Sequence, residues 1–222
     1  MARAMLIDRE MKLYYSPGAC SLAPHIALRE AERSFELARV DLHTHRLANG
    51  QDYKLVNPKG YVPALELDGP GSETLTEAQV VLQYIADLAP DKRLAPPQGT
   101  FARYHLMEML GFISSELHKQ YGPLFMPETP ASVQERQRGK IAGLFLYLQE
   151  RLADQPFLMG ETFTVADCYL FVMLRWTERT GIDRQIWPNL DEYFERVAER
   201  PSVQAALAAE GLVAASRVRR SA

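Results

Sequence analysis

The sequence predicts an α/β half followed by an all-helical half. Three observations carry this: strand and helix patterns alternate over residues 12–90, a stretch marked by Pro90, Pro96, Pro97 and Gly99 interrupts them, and no convincing strand pattern follows.

The elements follow in order. "KLYY" (12–15) reads as a first strand, and Pro17-Gly18 turns the chain. Leu22, Ala23, Ile26, Ala27 and Ala31 then recur at helical spacing, with Arg29, Glu30, Glu32 and Arg33 on the opposite face. "FELARV" (35–40) alternates as a second strand; after a polar loop, "VPALEL" (62–67) is a third. "DGPG" (68–71) is a tight turn that brings "SETLT" (72–76) back as a hairpin partner. Thr76 and Gln79 fit a capping box for a helix through Val80, Val81, Tyr84, Ile85 and Leu88 to Pro90. The order is β-α-β, a connection, then β-β-α.

Beyond the linker, Leu106, Leu110, Ile113 and Leu117 form one helical stripe, and Ile141, Leu144, Phe145, Leu148 and Leu152 another. Thr164 is placed to cap a third helix, with Asp167 three residues on and Phe163 stapling against Cys168. Asn189 and Glu192 repeat the capping pattern for a fourth, which ends near Arg200-Pro201. The tail "ASRVRRSA" reads as solvated.

Composition narrows the partners. A net charge of -3 lacks the basic footprint of nucleic-acid and anionic-membrane binders. No apolar run approaches the ~20 residues of a membrane span, and "MARAMLIDRE" is too acidic and too short in apolar residues for a signal peptide. Cys20 and Cys168 stand far apart without metal-type spacing, which favours a reducing compartment, no disulfide and no metal. The expectation is a cytoplasmic protein with a small-molecule or protein partner, no nucleic acid and no membrane.

Cys20 stands where the first strand gives way to the first helix. Unpaired N–H groups and the helix dipole stabilise a thiolate there, so the sequence predicts a thiol pKa below the ordinary value of about 8.5. The alternative for Cys20 is a small packing residue. Ala23 occupies the place of a second cysteine, so thiol chemistry here needs an outside thiol. Cys168 reads as core. His25 is five residues past Cys20, which turns it roughly 140° away on a helix and makes it structural.

These residues carry a family resemblance. "KLYYSPGACSLAPHIALRE" (12–30), "NPKGYVPALEL" (57–67), "LTEAQVVLQYIAD" (75–87), "ELHKQYGPLF" (116–125) and "FTVADCYLF" (163–171), followed by "RW" (175–176) and "ERP" (199–201), resemble the bacterial glutathione transferases, most closely the beta class. The match covers about residues 11–212. It implies a thioredoxin-like domain over 11–90, with β-α-β-α-β-β-α order and a mixed four-stranded sheet, then an all-helical domain over 98–215 that contributes the electrophile site. Residues 1–10 are expected to be an extension, with Met11 a candidate start.

The resemblance implies conjugation of glutathione, as co-substrate, to small hydrophobic electrophiles in detoxification, by a homodimer. It places a cis bond at Val62-Pro63, with the Val62 N–H and C=O free to pair with the cysteinyl backbone of glutathione. Glu77 and the Ala78 N–H take the γ-glutamyl end. His118 and Lys119 sit close to the bound sulfur, where cationic or hydrogen-bonding side chains stabilise a thiolate. Cys20 and Ser21 are the protein groups nearest that sulfur, and Glu116 faces the dimer partner and holds the γ-glutamyl ammonium across the interface. The electrophile pocket is expected to be lined from the helical domain near Tyr121, Leu124 and Phe125, the sequence not saying which of these side chains point inward. Read alone, Pro63 also fits an edge strand, Glu77 a helix-start acid, and His118-Lys119 a complement to a helix C-terminus.

Three positions depart from the family: Ala78 where many members carry serine, Gly111 where relatives carry asparagine, and His45 where a lysine often meets the glycyl end. Each removes or weakens a polar contact to glutathione. Two further functions fit the same residues: a glutathione-dependent disulfide reductase with Cys20 as nucleophile, and a non-catalytic binder of hydrophobic ligands.

Overall fold

A computed structural model describes residues 10–68 and 73–212. Residues 1–9, most of the "DGPG" turn and the "ASRVRRSA" tail lie outside the described residues.

The sheet-bearing half contains β1 (Met11–Tyr15), α1 (Leu22–Glu30), β2 (Glu36–Asp41), β3 (Arg46–Leu47), β4 (Ala64–Leu67), β5 (Glu73–Thr76) and α2 (Ala78–Leu88). The strands lie in the order β3-β2-β1-β4-β5. β1 and β2 run parallel, as a crossover through α1 requires; the other pairs are antiparallel. The sheet has five strands where the sequence predicts four. The extra one is the two-residue β3, folded back on Val40 and Asp41, too short to leave a period-two pattern. The helix implied between the second and third strands is a single 3-10 turn, Tyr53–Leu55, started by Asp52 accepting the Lys54 N–H.

Period-two alternation sorts the strand residues between two cores. Leu13 pairs in register with Leu65, and both face α1 and α2 with Ile26, Val81 and Ile85. Tyr14 and Ala64, on the other face, pack with Val40, Tyr53 and Val62.

The helical half comprises α3 (Phe101–Phe112), a π-helical turn (Ile113–His118), α4 (Lys119–Phe125), α5 (Ala131–Arg151), α6 (Val165–Arg175), α7 (Thr177–Thr180), α8 (Pro188–Ala198) and α9 (Pro201–Ala209). Val165 through Leu174 are all buried, so α6 is the central helix around which the others pack. Its start matches expectation: the Thr164 N–H donates to the Asp167 carboxylate at 2.7 Å, and Phe163 and Cys168 lie in the core. Two caps differ. Thr76 ends β5 instead of capping α2, which starts after Glu77. Asn189 lies inside α8, behind Pro188, and its amide donates to Gln149 O at 3.1 Å.

Polar clamps join the halves. Arg103 grips Asp87 with two nitrogens at 2.9 and 3.0 Å, and Arg200 grips Glu30 at 2.6 and 2.9 Å. Glu210 accepts from the Gly18 N–H at 2.9 Å and meets His25 Nδ1 at 2.8 Å; Trp176 Nε1 donates to Gly18 O at 2.8 Å. The last two hold the β1–α1 loop from both sides, at a glycine whose φ of +70° suits no branched side chain. His25 is structural, as its spacing predicts.

Candidate functional site

A cleft of about 720 Å³ opens between the halves. Its first wall comes from the sheet-bearing half: the loop from Ser16 to Cys20, the Val62-Pro63 corner and the start of α2. The Val62-Pro63 bond is cis. The Val62 N–H finds no hydrogen-bond partner among the described residues, whereas its C=O accepts from Cys20 Sγ at 3.1 Å, so only half of that backbone is open. Glu77 holds φ +69°, a left-handed conformation uncommon outside glycine, and sets the first amides of α2 against the cleft. Lys59 Nζ closes on Glu77 Oε1 at 2.6 Å and on Thr76 Oγ1 at 2.9 Å.

The Cys20 thiol departs from expectation. Burial pushes it up to about 12; the N–H groups of Cys20 and Ser21 point at the sulfur and pull it down, but desolvation outweighs them and Glu77 adds to the rise. Cys20 is therefore a protonated donor at neutral pH, not a thiolate. Ser21 departs as well. It is fully buried and off the cleft wall, its hydroxyl accepting from the Ser16 N–H at 3.2 Å and donating to Ser16 O at 3.4 Å. It braces the loop behind the site.

The second wall is helical. The π turn carries Ser114 and His118 to the cleft, α4 adds Lys119, Gly122 and Phe125, and α6 and the turn after it add Tyr169, Trp176 and Arg179. π turns of this kind recur at functional sites because they shift the helical register locally. His118 Nδ1 lies 2.7 Å from the Tyr169 hydroxyl, and its ring meets Trp176 at 4.9 Å. Burial, with Lys119 beside it, lowers the His118 pKa to about 4. The ring is neutral at pH 7, which favours the hydrogen-bonding role over the cationic one. Burial also holds the Tyr169 hydroxyl in its protonated form. In the tautomer in which that hydroxyl donates to Nδ1, the proton of the ring sits on Nε2.

Cys20, Val62, Pro63, Glu77, Ala78, His118 and Lys119 are thus brought together on one cleft. Glu116 is exposed and off the wall, its carboxylate accepting from Ser115 Oγ at 3.3 Å. The stretch expected near the electrophile site does reach the cleft, through Phe125; Tyr121 is fully buried and Leu124 packs against the core. His45 lies behind the wall, its ring so close under Gly60 that a Cβ there would come within 2.9 Å of Cε1. Lys59, Ser114, Tyr169, Trp176 and Arg179 are among the wall residues that sequence reasoning missed. Trp176 stood in the quoted "RW" fragment, Lys59 in "NPKG" and Tyr169 in "FTVADCYLF"; for Ser114 and Arg179 only the fold supplies the signal.

Comparison with known proteins agrees with this architecture. Residues 9–87 match the family model described as glutathione S-transferase, N-terminal domain, and residues 107–201 the model of the C-terminal domain. Glutathione S-transferase GstA of Escherichia coli O157:H7 is 46% identical over 202 residues, covering 91% of this chain and 100% of its own. A bacterial beta-class glutathione S-transferase of Sphingomonas chungbukensis superposes with a TM-score of 0.88 at 50% identity, covering 91% of this chain and all of its own. A sphingomonad glutathione S-transferase complexed with glutathione superposes at 0.87 with 46% identity and the same coverage.

Proposed function

The chain belongs to the glutathione S-transferase family, and we propose that the two walls of its cleft divide the reaction between them, the sheet wall binding glutathione and the helical wall meeting the electrophile. It is a glutathione transferase. The observation that carries the division is the open Val62 N–H beside the amides of α2, facing an aromatic wall across one cleft.

On the sheet wall, the cysteinyl C=O of glutathione accepts from the Val62 N–H as a short added strand. The γ-glutamyl carboxylate lies on the Ala78 N–H at the start of α2, and Glu77 takes the ammonium. This geometry sets the sulfur between Cys20 and His118. The Cys20 S–H turns from the Val62 C=O to the glutathione thiolate, and with the His118 Nε2–H it donates to that thiolate and favours its ionisation. The thiol's proton leaves to solvent. The thiolate attacks the electrophilic carbon; with an aryl halide the C–S bond forms and the halide leaves with its electron pair. Lys119 adds positive charge near the sulfur.

Residues 11–90 are read as the glutathione domain and 98–215 as the electrophile domain, residues 213–215 lying outside the described ones. A homodimer fits the exposed apolar side chains of Phe101 (77% exposed), Tyr104 (59%) and Met107 (44%) on α3, with Leu146 and Tyr147 on α5. Glu116 then serves the partner's γ-glutamyl ammonium. Free Cys20 and Cys168, with no helix long and apolar enough to cross a membrane among the described residues, suit a cytoplasmic enzyme of detoxification.

The test is conjugation of glutathione to 1-chloro-2,4-dinitrobenzene, followed together with glutathione titration. Turnover with saturable glutathione supports the reading. Glutathione binding without turnover of any aryl halide overturns it and leaves the non-catalytic binder.

A further inference from the structure

Once these roles are assigned, one cation of the cleft is left without a task. Lys59 is closed by Glu77 at 2.6 Å, and in the helical half Arg103, Arg138, Arg184 and Arg200 each hold a carboxylate. Arg179 lines the cleft and holds no carboxylate among the described residues. Its guanidinium carbon lies 5.7 Å from the centroid of Phe125, and Phe125 meets Trp176 edge-on at 5.1 Å, both rings lining the same cleft. The residue is anchored at its root, where the Arg179 N–H donates to Trp176 O at 3.1 Å. An unpaired surface arginine is ordinary. One placed over the aromatic shelf of a reaction cleft meets whatever substituent a flat electrophile carries there.

We propose that Arg179 determines electrophile specificity by recognising an anionic substituent, a carboxylate, on a flat electrophile lying against Phe125 and Trp176. The planar guanidinium fork matches a carboxylate with two parallel hydrogen bonds, which an ammonium does not. Glu77 is the one carboxylate on the cleft wall among the described residues, and Lys59 already neutralises it, so the cleft opposes an anionic ligand nowhere on the helical side. The inference rests on the transferase reading above.

The experiment compares 4-chloro-3-nitrobenzoate with its neutral amide, 4-chloro-3-nitrobenzamide, at saturating glutathione. In both, the thiolate bonds to the chlorine-bearing carbon, chloride leaves with the electron pair and the thiol proton passes to buffer. The readout is the ratio of kcat/KM for benzoate to that for benzamide, so the intrinsic reactivity difference cancels between variants. In Arg179→Gln this ratio falls about fivefold, the value of a partly exposed charge pair. Arg179→Lys keeps the charge but loses the fork and restores only part of it, and in the parent protein added salt lowers it. An unchanged ratio in Arg179→Gln overturns the proposal, as does a ratio that collapses in Lys119→Gln but not in Arg179→Gln. Failure of the parent protein to turn over both compounds while it conjugates 1-chloro-2,4-dinitrobenzene overturns this proposal alone; failure with all three removes the transferase reading as well.

Discussion

The sheet wall of the cleft offers a ligand backbone groups and an ion pair already closed on itself, whereas the helical wall offers side chains alone: a neutral imidazole, three aromatic rings, and two cations that hold no carboxylate among the described residues. The difference follows from how each is built. A cis-proline corner and a helix start expose N–H groups at fixed positions, so the first wall reads a peptide whatever its neighbouring side chains are. Packed helices satisfy their own backbone, so the second wall can differ from its relatives only through side chains. A constant co-substrate on one wall and a variable electrophile on the other is the chemistry this difference allows.

The strongest break of the comparison is at His118. His118→Ala removes the imidazole donor of the helical wall and is expected to lower kcat/KM for an aryl halide on the order of 100-fold, while glutathione affinity changes little. Stopped-flow conjugation and calorimetric titration separate the two. A loss of affinity equal to the loss of rate would place His118 in glutathione binding and merge the two walls.

Glu77→Gln acts on the other side. It removes the charge that meets the γ-glutamyl ammonium, and glutathione affinity is expected to fall about tenfold, within the range for a hydrogen bond to a charged group, with kcat much less affected. If kcat falls instead, the sheet wall takes part in the chemical step.

How much of this was legible differs between the walls in the same way. β1, β4, the Pro63 corner and Glu77 stand in two short runs whose spacing survives folding, because a strand and a turn carry their residues in order. The helical wall gathers residues from the π turn, α4, α6 and the turn after it, far apart in sequence. The stripe from Leu106 to Leu117 reads as one α-helix, but the π turn inserts an extra residue's worth of rotation, which aims Ser114 and His118 at the cleft and sends Tyr121 into the core. Helix-dipole reasoning at Cys20 also went the wrong way. It weighed the favourable amides and not the burial, and a buried sulfur beside a carbonyl keeps its proton.

That correction sets the third prediction. With Cys20 a protonated donor, Cys20→Ala is expected to slow conjugation by no more than about fivefold, the value of one weak donor. Any exchange with a glutathione-based disulfide should vanish in the same variant. Loss of conjugation altogether would make Cys20 the nucleophile and favour the reductase reading.

A further expected effect lies in stability against pH and concerns His118 again. An exposed histidine titrates near 6.5 in the unfolded chain, whereas burial holds His118 near 4 in the fold. Between those values the unfolded state binds the proton and the folded state does not, so unfolding gains a proton as pH drops through that window. The contribution of His118 to stability is therefore at its highest above about pH 6.5 and declines as the pH falls from there toward 4. Below 4 the decline stops. His118→Gln keeps a polar side chain beside the Tyr169 hydroxyl but cannot titrate, so its Tm should fall less steeply than that of the parent protein between pH 6.5 and 4, while the two curves run parallel above pH 7. Parallel curves through the whole range would mean that His118 takes up its proton as readily in the fold as outside it, and the neutral imidazole assigned to the helical wall would have to be given up.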